Sequence, residues 1–233
     1  MDIAALLPTS LIDFPHTLAA VLFAAGCNFR CPFCHNPELV HPDRVRQIEF
    51  IPEKSVLTTL QERQGFLDGI VITGGEPTIH PDLAAFIERV KSLGYRVKLD
   101  TNGSRPEVLA ALLDAGLLDY VAMDLKAPPS HYSELAGVPV DMGAIKEAIH
   151  LVREKAPEYE FRTTVAPTMT RQDVEEMVAF IGGAKSYWLQ QFVVPDGKGL
   201  VDPAWRTKTA LSEKDLRAVW GGIEGSFDGG GVR

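Results

Sequence analysis

Short apolar runs that end in polar or glycine-rich turns recur along the chain. Their lengths and flanking residues are typical of buried strands. Six such strands are predicted, at residues 18–25, 69–73, 95–99, 119–123, 159–165 and 188–194.

The stretches between these runs are predicted to be helices, because proline or a polar capping residue opens most of them and glycine closes several. The predicted helices lie at residues 52–63, 81–93, 106–115, 142–155 and 173–181, with a last helix from a Ser212 cap to Trp220. Strands that alternate with helices indicate right-handed βαβ units around a parallel sheet. The pattern therefore predicts an α/β fold with a partial, TIM-like (β/α)6 barrel, two units short of a closed barrel.

Length and composition predict a single domain. The chain has 233 residues, of which 45% are hydrophobic, and this is enough for one large domain with a substantial core. We place this domain at residues 1–220, because no break within them argues for two domains. Residues 221–233 contain six glycines, and we expect them to form a flexible tail.

The charge balance and the few cysteines narrow the class of protein. A formal net charge of −8 weighs against a general nucleic-acid binder, which needs a basic face. Three cysteines in one tight group do not suit a disulfide framework, so a reducing compartment, the cytoplasm, is expected. No run of 18 apolar residues occurs, and the first 22 residues do not resemble an export signal, so we expect no membrane span.

All three cysteines lie within eight positions, at Cys27, Cys31 and Cys34. Glycine and proline in this stretch permit turns that let the three sulfurs converge. Thiolates favour iron–sulfur, zinc or copper(I) centres. A cluster of four irons ordinarily takes four cysteines, so three would leave one iron without a protein ligand. A zinc site completed by His35, or three structural core cysteines, are the alternatives.

Polar and glycine residues follow the next predicted strands, at the edge where α/β barrels place their sites. Gly74 and Gly75 allow a backbone to approach a ligand closely, although a tight turn before the helix that Pro81 opens is by itself the favoured explanation. Asp100 and Asp124 could bind a cation or an ammonium group, and Lys126 could bind a carboxylate. Each of these three is also explained by a cap or a surface ion pair.

Arg162 lies within a predicted strand, where a charge must face a wet interior or find a partner. These features together indicate S-adenosylmethionine as the ligand. They are an iron with an open position, polar groups that could bind an amino-acid headpiece, and a barrel interior large enough for an adenosine. The radical chemistry of S-adenosylmethionine requires an electron that a cluster can deliver.

The chain resembles the radical S-adenosylmethionine superfamily in four motifs. These are the cysteine loop with Phe33 before its last cysteine, the Gly-Gly-Glu-Pro turn, the Asp-Thr-Asn-Gly sequence and the Asp-Leu-Lys sequence. Within this superfamily, residues 9–15, 26–39 and 120–128 resemble the glycyl-radical-enzyme activases, and among them the activating proteins of anaerobic ribonucleoside-triphosphate reductase. His16 departs from that pattern, in which glycine usually follows the aspartate, aromatic residue and proline.

The resemblance implies roles for the residues identified above. It implies that Cys27, Cys31 and Cys34 hold one [4Fe–4S] cluster, whose fourth iron is chelated by the methionine part of the cofactor. The residues implied in S-adenosylmethionine binding are Phe33, His35, Gly74, Gly75, Glu76, Asp100, Asn102, Asp124, Lys126 and Arg162. A monovalent cation is implied between Asp100 and Asp124, with the carbonyl groups of Thr101 and Ala122 as further ligands.

The implied reaction begins with electron transfer from a flavodoxin or a ferredoxin to the cluster. A 5′-deoxyadenosyl radical then abstracts hydrogen from a glycine Cα of a partner, expected to be anaerobic ribonucleoside-triphosphate reductase, whose loop enters through the opening of the incomplete barrel. A radical enzyme acting on a small molecule, such as a 7-carboxy-7-deazaguanine synthase, is one alternative. A zinc-stabilised binding module is another.

Overall fold

A computed structural model describes residues 1–194, 197 and 199–233. Within these residues one sheet has eight strands, and their order in space is their order along the chain. The strands are β1 (Ile3–Ser10), β2 (Ala19–Ala24), β3 (Gly69–Gly74), β4 (Arg96–Thr101), β5 (Tyr120–Asp124), β6 (Glu158–Val165), β7 (Ala184–Gln191) and β8 (Phe227–Val232).

Strands β2 to β8 are parallel, and β1 pairs with β2 in the antiparallel direction. The six predicted strands correspond to β2 to β7, so the α/β barrel-like fold is confirmed. The bounds of β7 differ most from the prediction, because this strand begins at Ala184 rather than at residue 188.

Helices connect the parallel strands and cover the outer face of the sheet. They are α1 (Pro37–Val40), α2 (Pro42–Val45), α3 (Glu53–Glu62), α4 (Leu83–Ser92), α5 (Pro106–Asp114), α6 (Tyr132–Ala136), α7 (Met142–Lys155), α8 (Arg171–Ile181) and α9 (Glu213–Ile223). The predicted helices correspond to α3, α4, α5, α7, α8 and α9. Ser212 caps α9 as expected, because its hydroxyl accepts a hydrogen bond from the Asp215 N–H. In the described part of the chain, none of the helices combines the length and apolar character that crossing a membrane requires.

Alternating side chains divide the apolar residues between the two faces of the sheet. Leu22 and Ile72 point outward and belong to the main core, which includes residues of the surrounding helices. Val21 and Val71 point inward and pack with Phe14 in a smaller cluster. The inner cluster fills one end of the barrel, and the charged residues of β4 to β6 lie beyond it, towards the carboxyl ends of the strands.

Residues 227–232 form strand β8, so the prediction of a flexible tail from residue 221 is corrected. The chain end is held at β7, because the Arg233 N–H donates to the Leu189 carbonyl and the Gln191 N–H donates to the Arg233 carbonyl, both at 2.9 Å. Gly230 has a φ of +134°, and a Cβ there would collide with the Tyr187 carbonyl. The glycines therefore permit close strand contact and a left-handed backbone instead of flexibility.

The N-terminal lead also forms a strand, β1, which the sequence did not predict. Strands β1 and β8 are the two edges of the sheet, so the opening of the barrel lies between them and not between β2 and β7. His16, in the turn that follows β1, has a φ of +55°. This is the left-handed region that glycine adopts readily, and it accounts for glycine at this place in the related pattern.

Candidate functional site

A cavity of about 230 Å³ lies at the carboxyl ends of the parallel strands and collects most of the predicted site residues. The cysteine loop between β2 and α1 contributes Cys27, Cys31, Phe33, Cys34 and His35. The carboxyl ends of β3, β4 and β5 and the turns that follow them contribute Gly74, Gly75, Glu76, Asp100, Thr101, Asn102, Asp124 and Lys126. Arg162 lies behind the two aspartates and bonds to both. Ala122 pairs in register with Asp100 and packs in the inner apolar cluster.

The backbone of the cysteine loop presents donors to two of the three sulfurs. The Phe29 N–H donates to the Cys27 Sγ at 3.3 Å, and the Asn36 N–H donates to the Cys34 Sγ at 3.5 Å. Such bonds stabilise thiolate ligands and tune the potential of iron–sulfur clusters.

Burial raises the pKa of Cys27 to about 11 and that of Cys31 to about 12, and it raises the pKa of Cys34 as well. Three thiolates side by side in this cavity are therefore unfavourable without metal ions to bind them. Among the described residues, no three His, Cys, Asp or Glu side chains converge on one metal ion. In a [4Fe–4S] cluster each cysteine binds a separate iron, so the three sulfurs need not converge. The donor set fits such a cluster.

A segment just after residue 199 covers the cysteine loop, and no sequence pattern predicted this contact. The Val201 N–H donates to the Cys34 carbonyl at 3.1 Å, and the Asp202 N–H donates to the Pro32 carbonyl at 3.0 Å. The Trp205 ring packs on Phe33, with the ring centroids 6.0 Å apart. This segment shields the outer side of the loop from water.

Glu76 lines the cavity, where the sequence resemblance implied that it binds the cofactor. Its buried carboxylate accepts hydrogen bonds from the Thr78 N–H at 3.1 Å, the Thr101 hydroxyl at 2.7 Å and the Asn102 N–H at 2.6 Å. Burial raises the pKa of Glu76, and these bonds oppose the rise. Because its acceptors are used within the protein, Glu76 ties the turn after β3 to the turn after β4.

Gly75 lies close to the backbone of the cysteine loop. The sequence predicted a close approach at this glycine, but to a ligand. Its N–H donates to the Ala24 carbonyl, and the Glu76 N–H donates to the Gly26 carbonyl, both at 2.8 Å. A Cβ at Gly75 would collide with the Gly26 carbonyl. Only glycine therefore lets this turn pack against the start of the cysteine loop.

Asn102 connects the turn after β4 to the cysteine loop. Its side-chain amide donates to the side-chain Oδ1 of Asn28 at 3.0 Å, and the side-chain amide of Asn28 donates to the Ser104 hydroxyl at 2.7 Å. The side chain of Asn102 thus bonds to the protein, although the residue lines the cavity.

Asp100 and Asp124 are held by cationic side chains. Asp100 bonds to Lys98 at 2.5 Å and to Arg162 at 3.2 Å. Asp124 bonds to Arg162 at 2.7 Å and to Lys126 at 3.1 Å. Burial acts to raise the pKa of both aspartates, but Arg162 together with Lys98 beside Asp100, and with Lys126 beside Asp124, holds each pKa below its usual range.

Lys126 and Arg162 stay charged because the carboxylates beside them raise their pKa. Burial acts to lower the pKa of Lys126, yet Asp124 and the neighbouring cysteines raise it above its usual value. Lys98 was missed by the sequence analysis, although a lysine between Val97 and Leu99 in a buried strand is a signal of an inward charge. Its side chain is 2% exposed.

Comparisons with known proteins bear on the family of this chain. A family model described as the radical SAM superfamily matches residues 21–181. A Methanocaldococcus jannaschii protein named "Putative glycyl-radical enzyme activating enzyme" is 33% identical over 93% of this chain and 89% of its own length.

Two further similarities cover less of the related protein. The 7-carboxy-7-deazaguanine synthase of Methanopyrus kandleri is 34% identical over 45% of this chain and 47% of its own length. The solved structure of Streptococcus suis SuiB bound to S-adenosylmethionine has a TM-score of 0.65 at 16% identity. That match covers 91% of this chain and 51% of the SuiB chain, and at this identity it concerns the fold alone.

Proposed function

The chain belongs to the radical SAM superfamily, and on this premise we propose that it is an activase that installs a glycyl radical on a partner enzyme. We further propose that this partner is anaerobic ribonucleoside-triphosphate reductase. A [4Fe–4S] cluster and S-adenosylmethionine are the cofactors of the superfamily, and the donor set of the cavity fits them.

The observation that carries the activase proposal is the extent of similarity to the Methanocaldococcus protein, which covers 93% of this chain. A match of that length includes the cysteine loop, the turns after β3, β4 and β5, and the strands that form the rest of the barrel. The similarity to the Methanopyrus synthase covers 45% of this chain, so more than half of the chain lies outside that match.

The proposed roles follow from the positions of the side chains. Cys27, Cys31 and Cys34 hold the cluster, while the Trp205 segment shields their loop. Lys126, fixed by Asp124, offers an ammonium to a carboxylate at the floor of the cavity. Gly75 provides backbone at the surface of the cavity for the amino group, and Phe33 and His35 border the space for the adenine.

When bound, and reduced by a flavodoxin or a ferredoxin, the cluster and S-adenosylmethionine supply a 5′-deoxyadenosyl radical that can abstract a glycine Cα hydrogen. The side chains of the cavity have no proton to transfer in this step. Their work is to orient the cofactor and to exclude water from the reacting atoms. The opening between β1 and β8 is the proposed route for the glycine loop of the partner.

Electron paramagnetic resonance tests the proposal. Anaerobically reconstituted protein, a reductant, S-adenosylmethionine and a cognate anaerobic ribonucleotide reductase should give the doublet of a glycyl radical. The doublet should be absent when the radical glycine of the partner is changed to alanine, and absent with the Cys31→Ala variant of this protein. Cofactor cleavage without a partner radical, across every glycyl-radical enzyme of the same cell, would contradict the activase function.

A radical enzyme that acts on a small molecule is the second candidate, because the identity to the Methanopyrus synthase reaches 34% over the matched 121 residues. Incubation with the substrate of that synthase class separates the two candidates. A product formed in step with 5′-deoxyadenosine, and no partner radical, would favour this second function.

A further inference from the structure

Five charged side chains meet in the barrel interior beside the candidate cofactor cavity. Lys98 and Asp100 lie two residues apart on β4, so both point inward. Arg162 reaches them from β6, and Asp124 and Lys126 lie at the end of β5. Each carboxylate oxygen of Asp100 and Asp124 faces its own nitrogen from these three cations.

This arrangement does not fit the monovalent metal cation that the sequence resemblance implied between Asp100 and Asp124. Glu160 adds a third carboxylate to the group, but Arg233 pairs with it at 2.8 Å. Among the described residues of this network, three carboxylates therefore face four cations, namely Lys98, Lys126, Arg162 and Arg233. A metal cation placed here would meet a net positive charge and no free carboxylate oxygen of the aspartate pair.

Lys98 is positioned as a fixed internal cation. Its side chain is 2% exposed, its Nζ lies 2.5 Å from the Asp100 carboxylate, and the same nitrogen lies 5.8 Å from the centre of the Tyr120 ring. An ammonium in such a sealed position is stable only with a carboxylate partner and a polarisable ring beside it. The head of a lysine also resembles K⁺ in size and charge.

We propose that the Lys98 ammonium takes the place of the monovalent metal cation, so that S-adenosylmethionine binding by this protein does not depend on K⁺ or Na⁺. The covalent attachment of the cation to β4 keeps Asp100 neutralised and in place in any salt. This inference rests on the proposed function only through S-adenosylmethionine binding and is independent of the partner enzyme.

The reconstituted wild-type protein provides the first test. Its affinity for S-adenosylmethionine and its thermal unfolding midpoint are measured in KCl, NaCl and tetramethylammonium chloride at one ionic strength, since tetramethylammonium is too large for the site. Both quantities should be the same in all three salts. Weaker binding in tetramethylammonium alone would overturn this inference and leave the proposed function intact. No binding in any salt would overturn both.

Variants of Lys98 provide the second test. Lys98→Met removes the ammonium and keeps the length of the side chain, so its S-adenosylmethionine affinity should become about tenfold stronger in KCl than in tetramethylammonium chloride. Lys98→Arg keeps a cation at this position, so its affinity for S-adenosylmethionine should be the same in both salts. Lys155→Met removes a lysine from an exposed pair with Asp114 and serves as the matched control. If Lys98→Met binds S-adenosylmethionine equally well in both salts, the proposal is overturned. If that variant does not fold, the comparison of salts with the wild-type protein decides the proposal.

Discussion

The buried carboxylate of Glu76 accepts a 2.6 Å hydrogen bond from the backbone N–H of Asn102, which lies 26 residues further along the chain. The bond joins the turn after β3 to the turn after β4. Because Asn102 in turn bonds to Asn28 of the cysteine loop, three segments that line the cavity are held in one network.

Glu76→Gln should weaken this network. The amide cannot accept at both of its terminal atoms, so at least one buried donor loses its partner. We expect the free energy of unfolding to fall by about 1–3 kcal/mol, the usual effect of an unsatisfied buried group. Chemical denaturation measures the change, with the exposed Glu62→Gln as control. Equal stability of the two variants would show that Glu76 does not tie the turns together.

Cys31→Ala should abolish iron binding and leave the fold intact. Wild-type protein reconstituted under anaerobic conditions should hold about four irons per chain. The variant should lack the cluster but keep its circular dichroism spectrum, because the ligands come from one loop and most residues of the main core belong to the strands and helices. One zinc and no iron in the wild-type protein would contradict the cluster assignment.

Lys126→Ala should reduce the affinity for S-adenosylmethionine by about 1–3 kcal/mol, the scale of a charge-assisted hydrogen bond. Asp124 keeps its bond to Arg162 in this variant, so the site should remain formed. An anaerobic titration measures the affinity, and Lys155→Ala removes the same charge far from the cavity. If both variants bind as the wild type does, Lys126 does not contact the cofactor.

Two neighbouring glycines of β8 should respond differently to alanine. Gly230→Ala forces a side chain into the Tyr187 carbonyl at a φ of +134°, so stability should fall by more than about 1 kcal/mol. Gly229→Ala places its Cβ in ordinary contact, 3.6 Å from the Lys185 carbonyl, and should change stability little. Thermal unfolding compares the pair. Equal, small effects would mean that residues 227–232 are not a strand in solution.

Strands β2, β3 and β5 could be predicted because their residues are mostly apolar on both faces, so each appears as a nearly continuous run in the sequence. Strand β1 lacks this signal. It is an edge strand with Pro8 inside it, and only part of it is buried. Strand β8 was missed because its glycines also suit a flexible end. What orders it is contact with β7 and the stacking of Trp220 on Phe227, which composition does not reveal.

The location of the site could be predicted because carboxyl ends of parallel strands share one edge of the sheet. The hydrogen-bond and ion-pair partners of each polar group could not be predicted. Glu76 bonds to residues of the next turn, and Asp100 bonds to Lys98 and Arg162. These pairings depend on the register of three strands and on the path of the loops. For the same reason the resemblance implied a metal cation beside Asp100, where the structure shows Lys98 bonded to that carboxylate.

Isotope transfer tests the central claim most directly. The partner reductase is prepared with its glycines deuterated at Cα and is mixed anaerobically with this protein, a reductant and S-adenosylmethionine. If this protein generates the radical that attacks the partner, the 5′-deoxyadenosine should carry deuterium in proportion to the glycyl radical formed, as measured by mass spectrometry. 5′-Deoxyadenosine that remains free of deuterium while the partner gains no radical would contradict the activase function.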